Sequence, residues 1–197
     1  RRLLGIINDM IDVSMIDNNL LSLTFQPVWI NHILTMIGND ANAAISERKQ
    51  ELEIISFPGS GEATFGDPER LLQVFRNLLS NAIKYTPDGG SIRVDGRRLP
   101  GFIETTISDT GIGIDLEEQS SIFGKFSQIG NSSLHSSSKA KFKGGGPGLG
   151  LYIAKGIIEK HGGTIWVDSS GYDEKNCPGT AVHILIPLPK QKTEVSE

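Results

Sequence analysis

The sequence predicts an α+β domain: a two-layer sandwich with a mixed sheet and helices on one face, preceded by an amphipathic N-terminal helix. Three observations carry that prediction. Helical and strand patterns interleave along the chain instead of falling into blocks. Two strand patterns, 91–97 and 102–108, are separated only by a turn around Leu99-Pro100-Gly101, which reads as an antiparallel hairpin and argues against a doubly wound parallel sheet. The 197 residues suffice for one core of ordinary size plus an appendage.

Taken in order, residues 3–21 set Leu3, Leu4, Ile7, Met10, Ile11 and Met15 at helical spacing, with Asn8, Asp9 and Asp12 between them. A lone stripe has nothing to bury against. Its drift between heptad positions favours a partner helix, from another chain or from upstream, over folding back onto the main domain. Leu21-Ser22-Leu23-Thr24-Phe25 alternates as a short strand, ended by Pro27. Residues 28–49 are helical in pattern, and Glu53–Phe57 reads as a strand closed by Pro58-Gly59. Asp67-Pro68 is an N-cap followed by proline at the first helical position, and the helix it starts runs to Tyr85. Pro87-Asp88-Gly89-Gly90 stops it. The hairpin strands follow, and residues 127–147, rich in Ser, Lys and Gly, form a loop. Leu149–Lys160 is a helix stopped by Gly162-Gly163. Thr164–Ser169 and Thr180–Pro187 are strands, and the tail from Lys190 is polar. The boundaries fall at 1–21, 22–189 and 190–197.

Composition excludes several classes. Lys and Arg are neither in excess nor clustered, and the net charge is −4, so a nucleic-acid partner is not expected. Cys177 stands alone and cannot form an internal disulfide, which favours a reducing compartment. No apolar run approaches the roughly 20 residues of a membrane span, and no secretory signal is visible. The expected location is cytoplasmic, with no membrane contact in these residues. The chain starts in helix-like sequence without an initiator Met and reads as part of something longer, so an upstream membrane anchor stays open.

Three clusters carry chemistry. In the first, Asn77, Asn81 and Lys84 stack on adjacent helical turns beside Tyr85. Two asparagines in mid-helix oppose local propensity; they either face solvent or do chemistry. The Asn81 carboxamide oxygen is a hard ligand suited to Mg²⁺, and Lys84 one turn on would meet phosphate charge. In the second, a strand ends at Asp109, an acceptor for an exocyclic amine such as adenine N6, and Gly111 and Gly113 let the chain pass close to a flat base. Alone, this could equally be a surface turn capped by Asp109. In the third, Gly144-Gly145-Gly146-Pro147-Gly148-Leu149-Gly150 runs a glycine loop into a helix start, which suits an anion, a hinge, or both. Neither a P-loop nor a dinucleotide fingerprint occurs. Metal ligation, base recognition and phosphate binding together are the needs of an ATP site.

Asn81 with Lys84-Tyr85, Asp109-x-Gly111-x-Gly113, Ile122-Phe123-Gly124-Lys125-Phe126, Gly146-x-Gly148-Leu149-Gly150-Leu151 and Gly179-Thr180 resemble, in order, the five sequence boxes of the catalytic domain of sensor histidine kinases. That module has the Bergerat ATPase fold, shared with DNA gyrase and MutL. The resemblance implies ATP and Mg²⁺ as ligands, with Asn81 on the metal and Asn77 ordering the metal or its waters. It further implies Lys84 on phosphate, Tyr85 near base or ribose, and Asp109 on adenine over a floor shaped by Gly111 and Gly113. Phe123 and Phe126 would anchor a lid. Gly146, Gly148 and Gly150 would bind phosphates with Leu149 in the adjoining turn, and Thr180 would support Asp109. Residues 1–21 resemble the end of the second helix of the dimerisation and phosphoacceptor domain. The implied partners are the phosphoacceptor histidine helix of the same protein, a response-regulator receiver domain, and a second copy in a homodimer.

The chain also departs from the family pattern. None of His32, His135, His161 and His183 has a phosphoacceptor context, so the acceptor is expected outside this chain. His161, at a helix C-terminus, reads as a structural residue whose positive charge would favour the helix end. Pro147 replaces a Thr or Ser in the glycine box, removing an N–H and a hydroxyl. Lys139, Lys141 and Lys143 either assist phosphate binding or are simply solvated. Asn77 stands where gyrase-like relatives carry a glutamate, and an amide cannot take a proton from water. This favours phosphoryl transfer over hydrolysis. A gyrase-type ATP hydrolase and a non-catalytic nucleotide-sensing module remain the alternatives.

Overall fold

A computed structural model describes residues 2–56, 63–127 and 148–189. The expectations for Gly146, Pro147, His135, Lys139, Lys141, Lys143 and the tail from Lys190 concern residues outside those described, and the strand expected at 53–57 runs over Glu51–Ile54 instead, ending before Ile55.

Eleven elements are described: α1 (Arg2–Asp17), β1 (Gln26–Val28), α2 (Ile30–Glu47), β2 (Glu51–Ile54), β3 (Thr64–Gly66), α3 (Pro68–Tyr85), β4 (Ser91–Leu99), β5 (Phe102–Asp109), α4 (Gly150–Lys160), β6 (Thr164–Asp168) and β7 (Thr180–Pro187). Five strands form one sheet in the order β2-β4-β5-β7-β6. β2 pairs parallel to β4 and the other pairs are antiparallel, so the sheet is mixed, as the hairpin predicts.

Alternation along each strand decides which face is covered. Ile92, Val94, Ile103, Ile107, Ile165, Ile184 and Ile186 point into one core with Leu34 and Ile37 of α2, Leu71, Phe75 and Leu78 of α3, and Ile153 and Ile157 of α4. The residues between them occupy the other face, where polar groups pair with one another. Arg97 donates to Glu104, and His183 lies between Glu104 and Asp168 with Trp166 stacked on its ring. Among the described residues, helices therefore cover one face only.

The local signals act where they were expected. Asp67 caps α3 by accepting from the Arg70 N–H at 3.1 Å, with Pro68 at the helix start. Leu99 pairs with Phe102 across a tight turn in which Gly101 has a φ of +79°. The strand read at 21–25 lies instead at Gln26–Val28 and contains Pro27. Proline is tolerated there because β1 pairs only with β3, in a separate two-stranded sheet.

α1 ends at Asp17, with Asn19 in the left-handed region (φ +54°) as its stop. It does fold back, but on a face other than the predicted stripe. Val13 and Ile16 pack on the core, and Ile16 fills the space that a side chain at Gly156 would take. Buried Asp12 accepts from Arg70 and Gln73, both at 2.7 Å, and Asp17 accepts from Lys125 and the Tyr152 hydroxyl. Leu3, Leu4, Ile7, Met10, Ile11 and Met15 remain exposed. None of the described helices is long and apolar enough to cross a membrane.

Candidate functional site

α3 turns Leu71, Val74, Phe75, Leu78, Ala82 and Ile83 into the core, which leaves Asn77, Asn81, Lys84 and Tyr85 half-buried at the edge of the helix layer. Asn81 and Tyr85 border a cavity whose opposite side is Asp109, Gly113 and Thr180. Its remaining walls are apolar, among them Leu78, Ile107, Ile114, Ile122 and Val182. Five residues singled out in three distant stretches of sequence thus surround one hollow between α3 and the sheet.

Asp109 is the last residue of β5, paired in register with Thr180 of β7. Its Oδ1 accepts from the Gly111 N–H at 2.8 Å, and the Thr180 N–H also donates to it. Burial nonetheless pushes its carboxyl up from 3.8 to about 6, outweighing those two donors. The turn after Asp109 needs its glycines. A Cβ on Gly113, which has a φ of +73°, would lie 1.9 Å from Gly171 O, and one on Gly111 would lie 2.6 Å from Tyr85 O. Tyr85 O accepts from the Ile112 N–H at 3.2 Å, and Gly111 O accepts from the Gly179 N–H at 2.9 Å. The turn is therefore tied both to α3 and to the start of β7. Ser169 adds a third tie, accepting from the Ile114 N–H and donating to Gly179 O. Sequence reasoning missed Ser169; its only signal is a position just after a strand, facing Gly179.

The other predicted residues lie around this cavity rather than in its lining. Asn77 Nδ2 donates to Gly150 O at 3.2 Å, joining α3 to the first turn of α4. Lys84 Nζ donates to the Tyr85 hydroxyl at 2.7 Å and stands 4.3 Å over the tyrosine ring. Phe123 is buried in the core, whereas Phe126 is exposed, with a φ of +59°. Gly148 has a φ of +70°, and a Cβ there would lie 2.6 Å from Ser127 O. Leu149 is the N-cap of α4 and is itself buried, so its side chain packs rather than faces a ligand. Gly150 opens the helix.

His161 corrects a sequence expectation. Burial lowers its pKa, against the raising effects of Ile157 O and Asp67. Its Nε2 accepts from the Asp67 N–H at 2.9 Å, which requires a neutral ring, and Nδ1 lies 2.8 Å from Ile157 O as the donor. The ring is structural, as expected, but it joins α4 to the α3 cap as an uncharged group. Among the described residues no three His, Cys, Asp or Glu side chains cluster for a metal.

Comparison with known proteins places this geometry among relatives. The profile of the family described as "Histidine kinase-, DNA gyrase B-, and HSP90-like ATPase" matches residues 66–190. The chain is 33% identical over 199 residues to "Sensor protein GacS" of Pseudomonas syringae pv. syringae, covering 99% of this chain and 21% of that protein. It is 34% identical over 170 residues to "Circadian input-output histidine kinase CikA" of Synechococcus elongatus, covering 85% and 22%. It thus spans about a fifth of these relatives. Among solved structures, "Mycobacterial sensor histidine kinase MprB" superposes with a TM-score of 0.65 at 30% identity, covering 84% of this chain and 98% of that one. A further structure, "ShkA full-length in complex with AMPPNP", shares the fold at a TM-score of 0.77 and 22% identity, covering 94% of this chain and 36% of that one.

Proposed function

The chain belongs to the histidine kinase-, DNA gyrase B- and HSP90-like ATPase family, and from that membership we propose that it is the ATP-binding catalytic domain of a sensor histidine kinase. It takes Mg²⁺-ATP and passes the γ-phosphate to a histidine on a helix outside these residues, for relay to a receiver domain.

One observation carries the reading: Asn81, Tyr85, Asp109, Gly113 and Thr180 surround a single cavity with apolar walls. The donor set fits ATP. Apolar walls suit a flat base, and Asp109 supplies an acceptor for its exocyclic amine. Asn81 offers Mg²⁺ a hard oxygen. Because the described residues form no acidic metal cluster, the metal that fits is one arriving with phosphate oxygens around it. Mg²⁺, when bound, neutralises phosphate charge. Lys84 is held at the cavity edge by Tyr85 and would turn from that hydroxyl toward phosphate. Gly146, Gly148 and Gly150 would present backbone N–H groups to the phosphates. The Asn77 amide ties α3 to α4 and offers water no base, so transfer outruns hydrolysis.

In the longer protein, residues 1–21 are the end of the dimerisation helix and 22–189 the catalytic domain. The exposed stripe from Leu3 to Met15 suits pairing with helices of a second copy. The test is to supply the chain with γ-labelled ATP and the phosphoacceptor hairpin of its own protein. Acid-labile phosphate on the hairpin histidine supports the proposal. Steady release of inorganic phosphate without labelled hairpin would select the ATP-hydrolase reading instead.

A further inference from the structure

We propose, resting on the ATP-site reading above, that Arg48 and Gln50 are positioning residues: they clamp the C-terminal end of α3 to the α2–β2 junction, fix through Tyr85 the Asp109–Gly113 turn, and so set how sharply the site selects its base. Arg48 is the C-cap of α2 and is only 3% exposed. Its Nη1 donates to Ile83 O at 2.7 Å and its Nη2 to Thr86 O at 2.9 Å. Gln50 Nε2 reaches the same two carbonyls, at 3.0 and 2.8 Å. Lys49, between them, has a φ of +51°, and this sharp turn brings both side chains under α3.

The last carbonyls of a helix have no partner within it and carry partial negative charge. A guanidinium meets both needs. Burying one is costly unless its N–H groups are satisfied, and its carboxylate partner Asp88, at 2.8 Å, is largely solvent-exposed. The carbonyls of Ile83 and Thr86 take hydrogen bonds from both terminal nitrogens of the buried guanidinium.

The chain of contacts continues to the site. Tyr85 lies between the two clamped carbonyls. Its own O accepts from the Ile112 N–H, and Gly111 packs against the same oxygen. Gly111 in turn donates to Asp109 Oδ1. A shift of the helix end therefore carries Tyr85 O, the turn and the Asp109 carboxylate with it. Asn81, one turn back on α3, moves with the same segment.

The experiment is the ratio of Mg²⁺-ATP to Mg²⁺-GTP dissociation constants for the native chain, Arg48→Met, Arg48→Lys and Gln50→Met, well below each melting temperature. Partial unfolding weakens both nucleotides by the same factor, so the ratio is blind to stability and reads geometry alone. The preference for ATP is expected to fall about tenfold in Arg48→Met, less in Gln50→Met, and to recover in part in Arg48→Lys. If Arg48→Met does not fold, Gln50→Met, which buries no charge, decides the matter. A ratio within roughly twofold of native in the folded variants overturns the proposal while leaving the ATP site standing. A native chain that does not prefer ATP overturns the ATP-site reading, and this inference with it.

Discussion

Titrating Asp109 should switch nucleotide binding in a pH range where few carboxylates change state. Burial moves this carboxyl from 3.8 to about 6, a preference for the protonated form of about 3 kcal/mol. An amine on a bound base needs an acceptor, and Oδ1 already serves Gly111. A proton on the carboxyl removes the remaining acceptor. At pH 5 roughly nine-tenths of the group is protonated, so affinity should fall about tenfold between pH 7 and pH 5. The sign for folding is opposite. The folded state holds this proton more tightly than the unfolded chain, so the group's contribution to stability is full below 3.8 and is lost as pH rises through 6. The assay is calorimetric titration of Mg²⁺-ATP at constant ionic strength from pH 5 to 8. Because the nucleotide's own phosphate titrates nearby, the native profile is divided by that of Asp109→Asn. A quotient that stays flat across pH 6 would show that the charge state of Asp109 does not govern nucleotide binding.

Three further outcomes follow from the geometry. Gly113→Ala places a Cβ 1.9 Å from Gly171 O at a left-handed φ; it should cost more than the 1–2 kcal/mol of the backbone conformation alone, roughly 3 kcal/mol or more, as read by urea unfolding. Asp12→Ala leaves Gln73 Nε2 without its acceptor and Arg70 with only Gln73 Oε1 and should lower stability by about 2 kcal/mol while leaving ATP affinity unchanged; thermal unfolding and calorimetry check the two halves. His161 has its pKa lowered by burial, so the unfolded chain binds the proton first, and stability is lost as pH falls from about 6.5 through the folded value. In His161→Gln that part of the slope between pH 7 and 5 should disappear from denaturation curves.

Legibility in the sequence followed the range of the interaction. The α3 cap and the β4–β5 hairpin rest on signals contained in a few residues, Asp67-Pro68 and Pro100-Gly101, and both formed as read. The mixed sheet with one covered face followed from them. β3 has three residues and no pattern of its own; it exists because β1 pairs with it. The docking of α1 depends on Asp12 and Asp17 meeting Arg70, Lys125 and Tyr152, partners more than 50 residues away. Nothing in the helix's own periodicity encodes them. At the site, motif residues were legible because glycines and a strand-end acid are chemically distinctive. Arg48, Gln50 and Ser169 hold those residues in place but lie in ordinary helix-end and strand-end sequence. Burial of Leu149 and exposure of Phe126 likewise depend on how α4 and residues 121–127 pack, not on residue type.

On the proposed reading, the cavity between Asn81 and Asp109 is an adenine-nucleotide site. Its most direct test is the calorimetric titration of the chain with Mg²⁺-ATP at pH 7.5, in parallel with Mg²⁺-GTP and with Asp109→Ala. Saturable one-to-one binding of ATP, weaker binding of GTP and loss of that preference in Asp109→Ala are predicted. ATP binding that survives Asp109→Ala with its base preference intact would mean that the base is not read by Asp109 in this cavity.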